Sequence, residues 1–267
     1  MEELLHILKV ITSYLEDKKT PQRPIYTFMA STWSPDFDEV SALDASELFR
    51  TVLMPDLFIS RAHLYDQDSA FEYCKIMPAN FLKPPPQPPD TTVYFFSMTS
   101  AIQHIADLDK LRGGGVQTAS LSLSVGLYGR WYIVQTDGYE RITQYHVGDV
   151  CFQAEIPHQR ASITEVCRNK KYKVMDSKLM DCKYIADQKT KKTFAYDTVE
   201  TLRYKLCASK QNATKLKYGL TAVGLEFVDA TNYCGDGKFG LLSTVKKILK
   251  FYAEEYTSPA AYKKCLG

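Results

Sequence analysis

The sequence predicts a mainly β protein with flanking helices (α+β), whose trunk is an antiparallel β-sandwich, jelly roll or barrel. Three observations predict it. From Val116 to Phe227 short β-type stretches follow one another, separated by turn signals such as Tyr128-Gly129, Asp137-Gly138 and Val147-Gly148-Asp149. An apolar helical pattern occupies residues 2–19, and a second amphipathic pattern runs through residues 241–252. Apolar residues make up 45% and charged residues 24% of the 267, which allows a full core.

Taken in order, residues 2–19 carry Leu4, Leu5, Ile7, Leu8, Val10, Ile11, Tyr14 and Leu15. At 100° per residue these cover roughly 220° of the helix, wider than a single buried stripe. Such a helix needs cover on two sides, either within its own domain or between subunits, and on the second reading these eight residues are the expected self-association surface. Thr20-Pro21 and Arg23-Pro24 end it. Residues 25–30 suit a strand. Asp44 and Glu47 resemble a capping box for a short helix, and another is expected over 68–76. The run Lys83-Pro84-Pro85-Pro86-Gln87-Pro88-Pro89 must be extended. It divides an N-terminal arm, residues 1–90, from a trunk, residues 91–267, expected to form one compact unit.

In the trunk, residues 91–97 read as a strand. Residues 100–111 read as a helix on Ile102, Ile105, Leu108 and Leu111, closed by Gly113-Gly114-Gly115. The β-type stretches are 116–126, 131–136, 141–146, 149–155, 162–166, 171–175, 181–187, 192–199, 201–207 and 216–227. The last helix turns Leu241, Leu242, Val245, Ile248, Leu249 and Tyr252 inward and Lys246, Lys247 and Lys250 outward.

Charge is unevenly spread. Residues 168–267 hold 20 Lys+Arg against 10 Asp+Glu, leaving the first 167 residues at −8 within a total of +2. This polarity suits either a nucleic acid on the basic part or attraction between unlike ends of neighbouring molecules. The basic segment interleaves lysines with Tyr172, Tyr184, Phe194, Tyr196 and Tyr204. Period-two alternation explains this more simply, aromatics inward and lysines outward. No apolar run approaches the ~20 residues that span a bilayer. Seven cysteines, an odd number without framework spacing, fit a reducing compartment better than a disulfide scaffold. On that reading the sequon Asn212-Ala213-Thr214 stays unmodified.

The strongest local constellation for chemistry is His146, Asp149, Glu155 and His158, which resembles half of a cupin metal site. The second half, a His-x-His with a Glu, is missing. Cys151 lies between the two histidines, but a strand cysteine packs more readily as a small apolar residue than as a nucleophile. His6, His63 and His104 form no ligand pair by spacing. No catalytic residue and no resident metal or cofactor is expected.

One resemblance adds to this reading. Cys182-Lys183-Tyr184, Phe194-Ala195-Tyr196, Leu216 through Leu225, Asn232-Tyr233-Cys234-Gly235 and the final helix through Tyr256 resemble the cypovirus polyhedrins. Glu140-Arg141-Ile142 and His146 through Pro157 extend the resemblance. It implies a jelly-roll trunk and trimers packed into an intracellular crystal that embeds virus particles in the host cytoplasm. It implies no membrane contact, and nucleotide held between subunits at positions that the match does not identify. The 18 tyrosines would then ionise at alkaline pH and loosen the lattice. The resulting expectation is a non-enzymatic viral occlusion-body protein. The alternatives are a cupin-like metal enzyme or small-ligand binder, and a cytoplasmic nucleic-acid-binding viral protein.

Overall fold

The computed structural model describes residues 27–30, 56–65, 74–84, 96–112, 120–136, 142–152 and 160–267. The helix expected over 2–19, with Leu4, Leu5, Ile7, Leu8, Val10, Ile11, Tyr14 and Leu15, lies outside the described residues. So do the helix expected after Asp44, Pro85 to Pro89 of the proline run, and the glycine triplet.

The centre of the fold is a parallel sheet, which overturns the expected antiparallel sandwich and jelly roll. Strands β1 (Thr27–Ala30), β2 (Leu57–Ser60), β3 (Ser120–Gly126) and β11 (Gly219–Val223) lie side by side in that order, every pair parallel. Parallel neighbours require crossover connections, and helices supply them. Helix α1 (Met98–Arg112) lies between β2 and β3, with Ser97 Oγ accepting the Ser100 N–H at 3.1 Å at its start. Helices α3 (Val199–Gln211) and α4 (Gly240–Glu254) flank β11 in sequence, and α5 (Ala261–Leu266) packs on α3.

Burial explains why β3 misled the sequence reading. Leu121, Leu123, Val125 and Leu127 face the helices and join Ile102, Ile105, Leu202, Leu206, Val245 and Ile248 in the main core. The alternate residues Ser122 and Ser124 look like a solvent face, yet both are buried. They belong to the other face of the sheet, where Ser122 Oγ lies 2.7 Å from Thr221 Oγ1 on β11. Parallel strands are covered on both faces, so alternation of Leu and Ser here marks two buried layers.

An antiparallel unit is inserted between β3 and α3. β4 (Gly129–Ile133) continues from β3 through Leu127 and Tyr128, then pairs with β7 (Arg160–Ala161) and β10 (Lys192–Tyr196). β9 (Cys182–Asp187) and β8 (Met175–Ser177) complete the order β7-β4-β10-β9-β8, and β5 (Gln135–Thr136) pairs with β6 (Ile142–Gln144). Phe194, Tyr184 and Tyr196 are buried, but so are Thr193, Ala195, Lys205 and Lys210, so a strict alternation of inward aromatics and outward lysines does not hold.

Several expected elements differ, among them the strand over 171–175, of which only Met175 lies in a strand. Residues 162–166 enter the short helix α2 (Thr164–Arg168), and residues 201–207 lie inside α3. Leu202, Tyr204 and Leu206 alternate like a strand, but a reciprocal cap decides the outcome. Thr201 N–H donates to Thr198 Oγ1 at 3.3 Å, and Thr198 N–H donates to Thr201 Oγ1 at 2.9 Å. Residues 74–76 are extended rather than helical, Lys75 bridging Val150. On α4, Leu249 is 37% exposed rather than buried with its neighbours.

Six of the seven cysteines are paired: Cys74–Cys151, Cys167–Cys234 and Cys207–Cys265. This corrects the reading of free thiols, and Cys182 alone stays unpaired and buried. Each bridge joins residues 58 or more positions apart, so no local spacing advertised them. Among the described residues no helix is long and apolar enough to cross a membrane.

Candidate functional site

The carboxyl ends of parallel strands are where barrel-type and open α/β sheets assemble sites, because the loops there converge on one end of the sheet. Here β2 runs into Arg61-Ala62-His63-Leu64-Tyr65, β3 into Leu127-Tyr128, and β11 into Gly224-Leu225-Glu226-Phe227. The structure brings these segments together with Phe96 and with Arg160 of β7. The Arg61 guanidinium lies 4.1 Å from the Phe96 ring centre and 4.8 Å from that of Tyr65. Arg160 lies over Tyr65 at 5.4 Å, Tyr128 at 5.6 Å and Phe227 at 5.6 Å. Tyr128 and Phe227 meet edge to face at 5.7 Å.

The cluster is held from below. The Tyr128 hydroxyl donates to the Leu64 carbonyl at 2.7 Å, and Arg130 Nη2 donates to the Tyr65 carbonyl at 2.8 Å. Asn80 Nδ2 donates to the Gly126 carbonyl, and Gly126 N–H donates to Asn80 Oδ1 at 2.8 Å. Asn80 Nδ2 also reaches Asp197, whose carboxylate takes the buried Lys205 ammonium at 2.5 Å. Gly224 is required for two reasons: its φ is +81°, and a Cβ there would lie 2.4 Å from Tyr128 Cδ1.

His63 is fully buried within this assembly. Its Nδ1 lies 2.6 Å from Ser124 Oγ, which also accepts the Ala62 N–H at 2.7 Å. Burial, reinforced by Arg61, Arg160 and Arg130, lowers its pKa to about 3. The imidazole is therefore neutral across physiological pH and cannot exchange a proton as a general acid or base there.

The residues singled out from the sequence lie elsewhere. His146 and Asp149 are close, but in a turn: Asp149 Oδ2 accepts the His146 N–H at 2.8 Å, and His146 Nδ1 sits 2.5 Å from the Tyr184 hydroxyl. Glu155 and His158 are outside the described residues. Among the described residues no group of three or more His, Cys, Asp or Glu could hold a metal. Cys151 is in a disulfide, which removes the Cys-His nucleophile. The sequence reading missed Arg61, Tyr65, Tyr128, Arg160 and Phe227. The signal was present in Leu57-Phe58-Ile59-Ser60 followed at once by Arg61, His63 and Tyr65, an apolar strand emptying into charged and aromatic residues.

This architecture is similar to that of solved chitinases and chitinase-like proteins. The Group IV chitinase of Ostrinia furnacalis matches with a TM-score of 0.64 at 16% identity, covering 94% of this chain and 63% of that one. An immunomodulatory active chitinase from Trichuris suis gives 0.62 at 16% identity, covering 93% and 65%. Human YKL-39, described as a pseudo-chitinase with retained chitooligosaccharide binding, gives 0.61 at 15% identity, covering 91% and 63%. The chain thus spans about 65% of the length of such proteins. No protein-family model matches the sequence, and no curated protein matches it.

The likeness defines an α/β fold of the chitinase-like, barrel type, with mixed parallel and antiparallel sheets. It overturns the resemblance to the polyhedrins, and with it the crystalline lattice, the trimers and the virus particles as partners. It equally supports neither the cupin-like metal enzyme nor the nucleic-acid-binding protein. The structural neighbours include active chitinases and a pseudo-chitinase, so the fold is compatible with hydrolysis and with binding alone.

Proposed function

We propose that this chain binds a chitooligosaccharide at the carboxyl ends of β2, β3 and β11 and does not hydrolyse it. The observation that carries the proposal is the cluster of half-buried Arg61, Arg160, Tyr65, Phe96 and Phe227 at those strand ends, seated on the buried Tyr128. Aromatic faces cover the apolar faces of sugar rings, while guanidinium groups donate to hydroxyl and acetamide oxygens. The retained chitooligosaccharide binding of human YKL-39 supports this ligand class.

The chemistry argues against turnover by this cluster. Glycoside hydrolysis needs a protonated carboxylic acid at the leaving oxygen, normally with a second carboxylate. Of residues 61–65, 127–130 and 224–227, Glu226 alone carries a carboxylate, and it is exposed. Burial, reinforced by three guanidinium groups, keeps His63 neutral. Three disulfides favour an oxidising compartment for the folded chain.

Calorimetric titration with chitotetraose, paired with chromatography of the same sample, tests both halves. Saturable binding that weakens about tenfold in Tyr65→Ala, or ~1.4 kcal/mol, with no shortened oligosaccharide, is expected. Shortened products from the purified chain would overturn the non-hydrolytic half, and absence of binding at millimolar sugar would overturn the whole.

A further inference from the structure

A cavity of about 690 Å³ opens at the opposite ends of the parallel strands, beside Ser120 and Gly219, where β3 and β11 begin. Its volume falls within the ~300–1,000 Å³ of small-molecule sites. Its walls are mostly apolar, with Leu216, Leu249 and Tyr252 among them, and its charged groups are of one sign. Lys210, Lys215 and Lys217 line it, and no carboxylate does.

Lys210 is the distinctive member. It is 3% exposed, near the end of α3, with its ammonium donating to the Leu216 carbonyl. Its nitrogen lies 4.5 Å from the Tyr218 ring centre and 5.4 Å from that of Tyr252. Two aromatic faces and one carbonyl are weak company for a buried cation, and no carboxylate among the described residues pairs with it. By contrast Lys205, on the same helix, has Asp197. A buried cation lacking an anion is costly, and supplying the anion recovers that cost.

We propose that this cavity binds an amphiphilic monocarboxylate, its carboxylate on Lys210 and its alkyl chain along Leu216, Leu249 and Tyr252. Lys215 and Lys217 at the wall add attraction of the same sign. Burial lowers the Lys210 pKa to about 8, so the free protein carries this amine partly neutral near that pH. The groups facing it are Tyr218, Tyr252 and Tyr256, whose pKa values burial raises, and Lys215 and Lys217. The tyrosines therefore stay neutral between pH 7 and 9, and Lys210 governs that window. A bound carboxylate favours the protonated amine, so binding takes up a proton and weakens as pH rises.

Decanoate is the test ligand, titrated calorimetrically in two buffers of different ionisation heat, with decanol and acetate as controls. Expected are saturable decanoate binding with proton uptake near pH 8, and a loss of up to about tenfold in affinity from pH 7 to pH 9. Lys210→Met should remove the proton uptake and weaken binding at least tenfold. Leu249→Glu, at a partly exposed position on the wall, should weaken both ligands, decanoate more than decanol because the new carboxylate also repels its charge. Equal binding of decanol and decanoate, binding without proton uptake, or no binding at all would each overturn the assignment. Chitotetraose should not displace decanoate, and displacement would overturn the existence of a separate site.

Discussion

His63 and Ser124 tie two adjacent parallel strands together at the end of the sheet, imidazole Nδ1 to hydroxyl oxygen at 2.6 Å, both side chains out of contact with water. The histidine is held with a pKa of about 3. In the unfolded chain it takes the ordinary value of ~6.5. Between those two values the unfolded chain binds the additional proton, so stability rises with pH. The contribution is fully present above about pH 6.5 and is lost progressively as pH falls toward 3, at roughly 1 kcal/mol per pH unit. His63→Gln should flatten urea stability between pH 6.5 and 5 relative to the native sequence. An unchanged pH slope in that variant would show that His63 is not buried neutral.

The Asp197–Lys205 pair, with side chains 2% and 0% exposed, stands under β3 and positions Asn80. Truncating one partner leaves the other charge buried. Lys205→Met should therefore destabilise the fold by about 3–5 kcal/mol, read from the denaturant midpoint. A loss under about 1 kcal/mol would mean that water reaches the pair.

Thiol chemistry checks the cross-links directly. Unfolded in denaturant without reductant, the chain should expose one reactive thiol, Cys182, and seven only after reduction. In the native state even Cys182 should be silent, since burial raises its pKa to about 12. Seven reactive thiols before reduction would refute the pairing.

Gly224→Ala puts a β-carbon into Tyr128 at a positive φ. A cost of about 1–3 kcal/mol is expected for the strained backbone alone. Chitotetraose affinity should fall as well, because Tyr128 must move. A variant equal to the native chain in both respects would show that the β11 turn does not constrain the cluster.

Much of the local structure was legible in the sequence, and the sheet was not. The apolar spacing of Ile102, Ile105 and Leu108 located α1, and Leu241, Val245 and Ile248 located α4. Whether strands pair parallel or antiparallel is set by partners far along the chain. Ser120–Gly126, with alternating Leu and Ser, reads as an amphipathic antiparallel strand until both faces are seen to be covered. The site escaped for a related reason: Arg61, Tyr128, Arg160 and Phe227 come from four separate segments, brought together by the parallel register of β2, β3 and β11 and by the antiparallel pairing of β7 with β4. The turn at 146–149 resembles a site because its His146 and Asp149 are neighbours in sequence.

Hydrogen–deuterium exchange with and without chitotetraose tests the central claim most directly. The account predicts slowed exchange in residues 61–65, 127–130 and 224–227, and none in 210–218 around the Lys210 cavity. Binding without protection of those three strand ends would contradict the placement of the sugar and the function drawn from it.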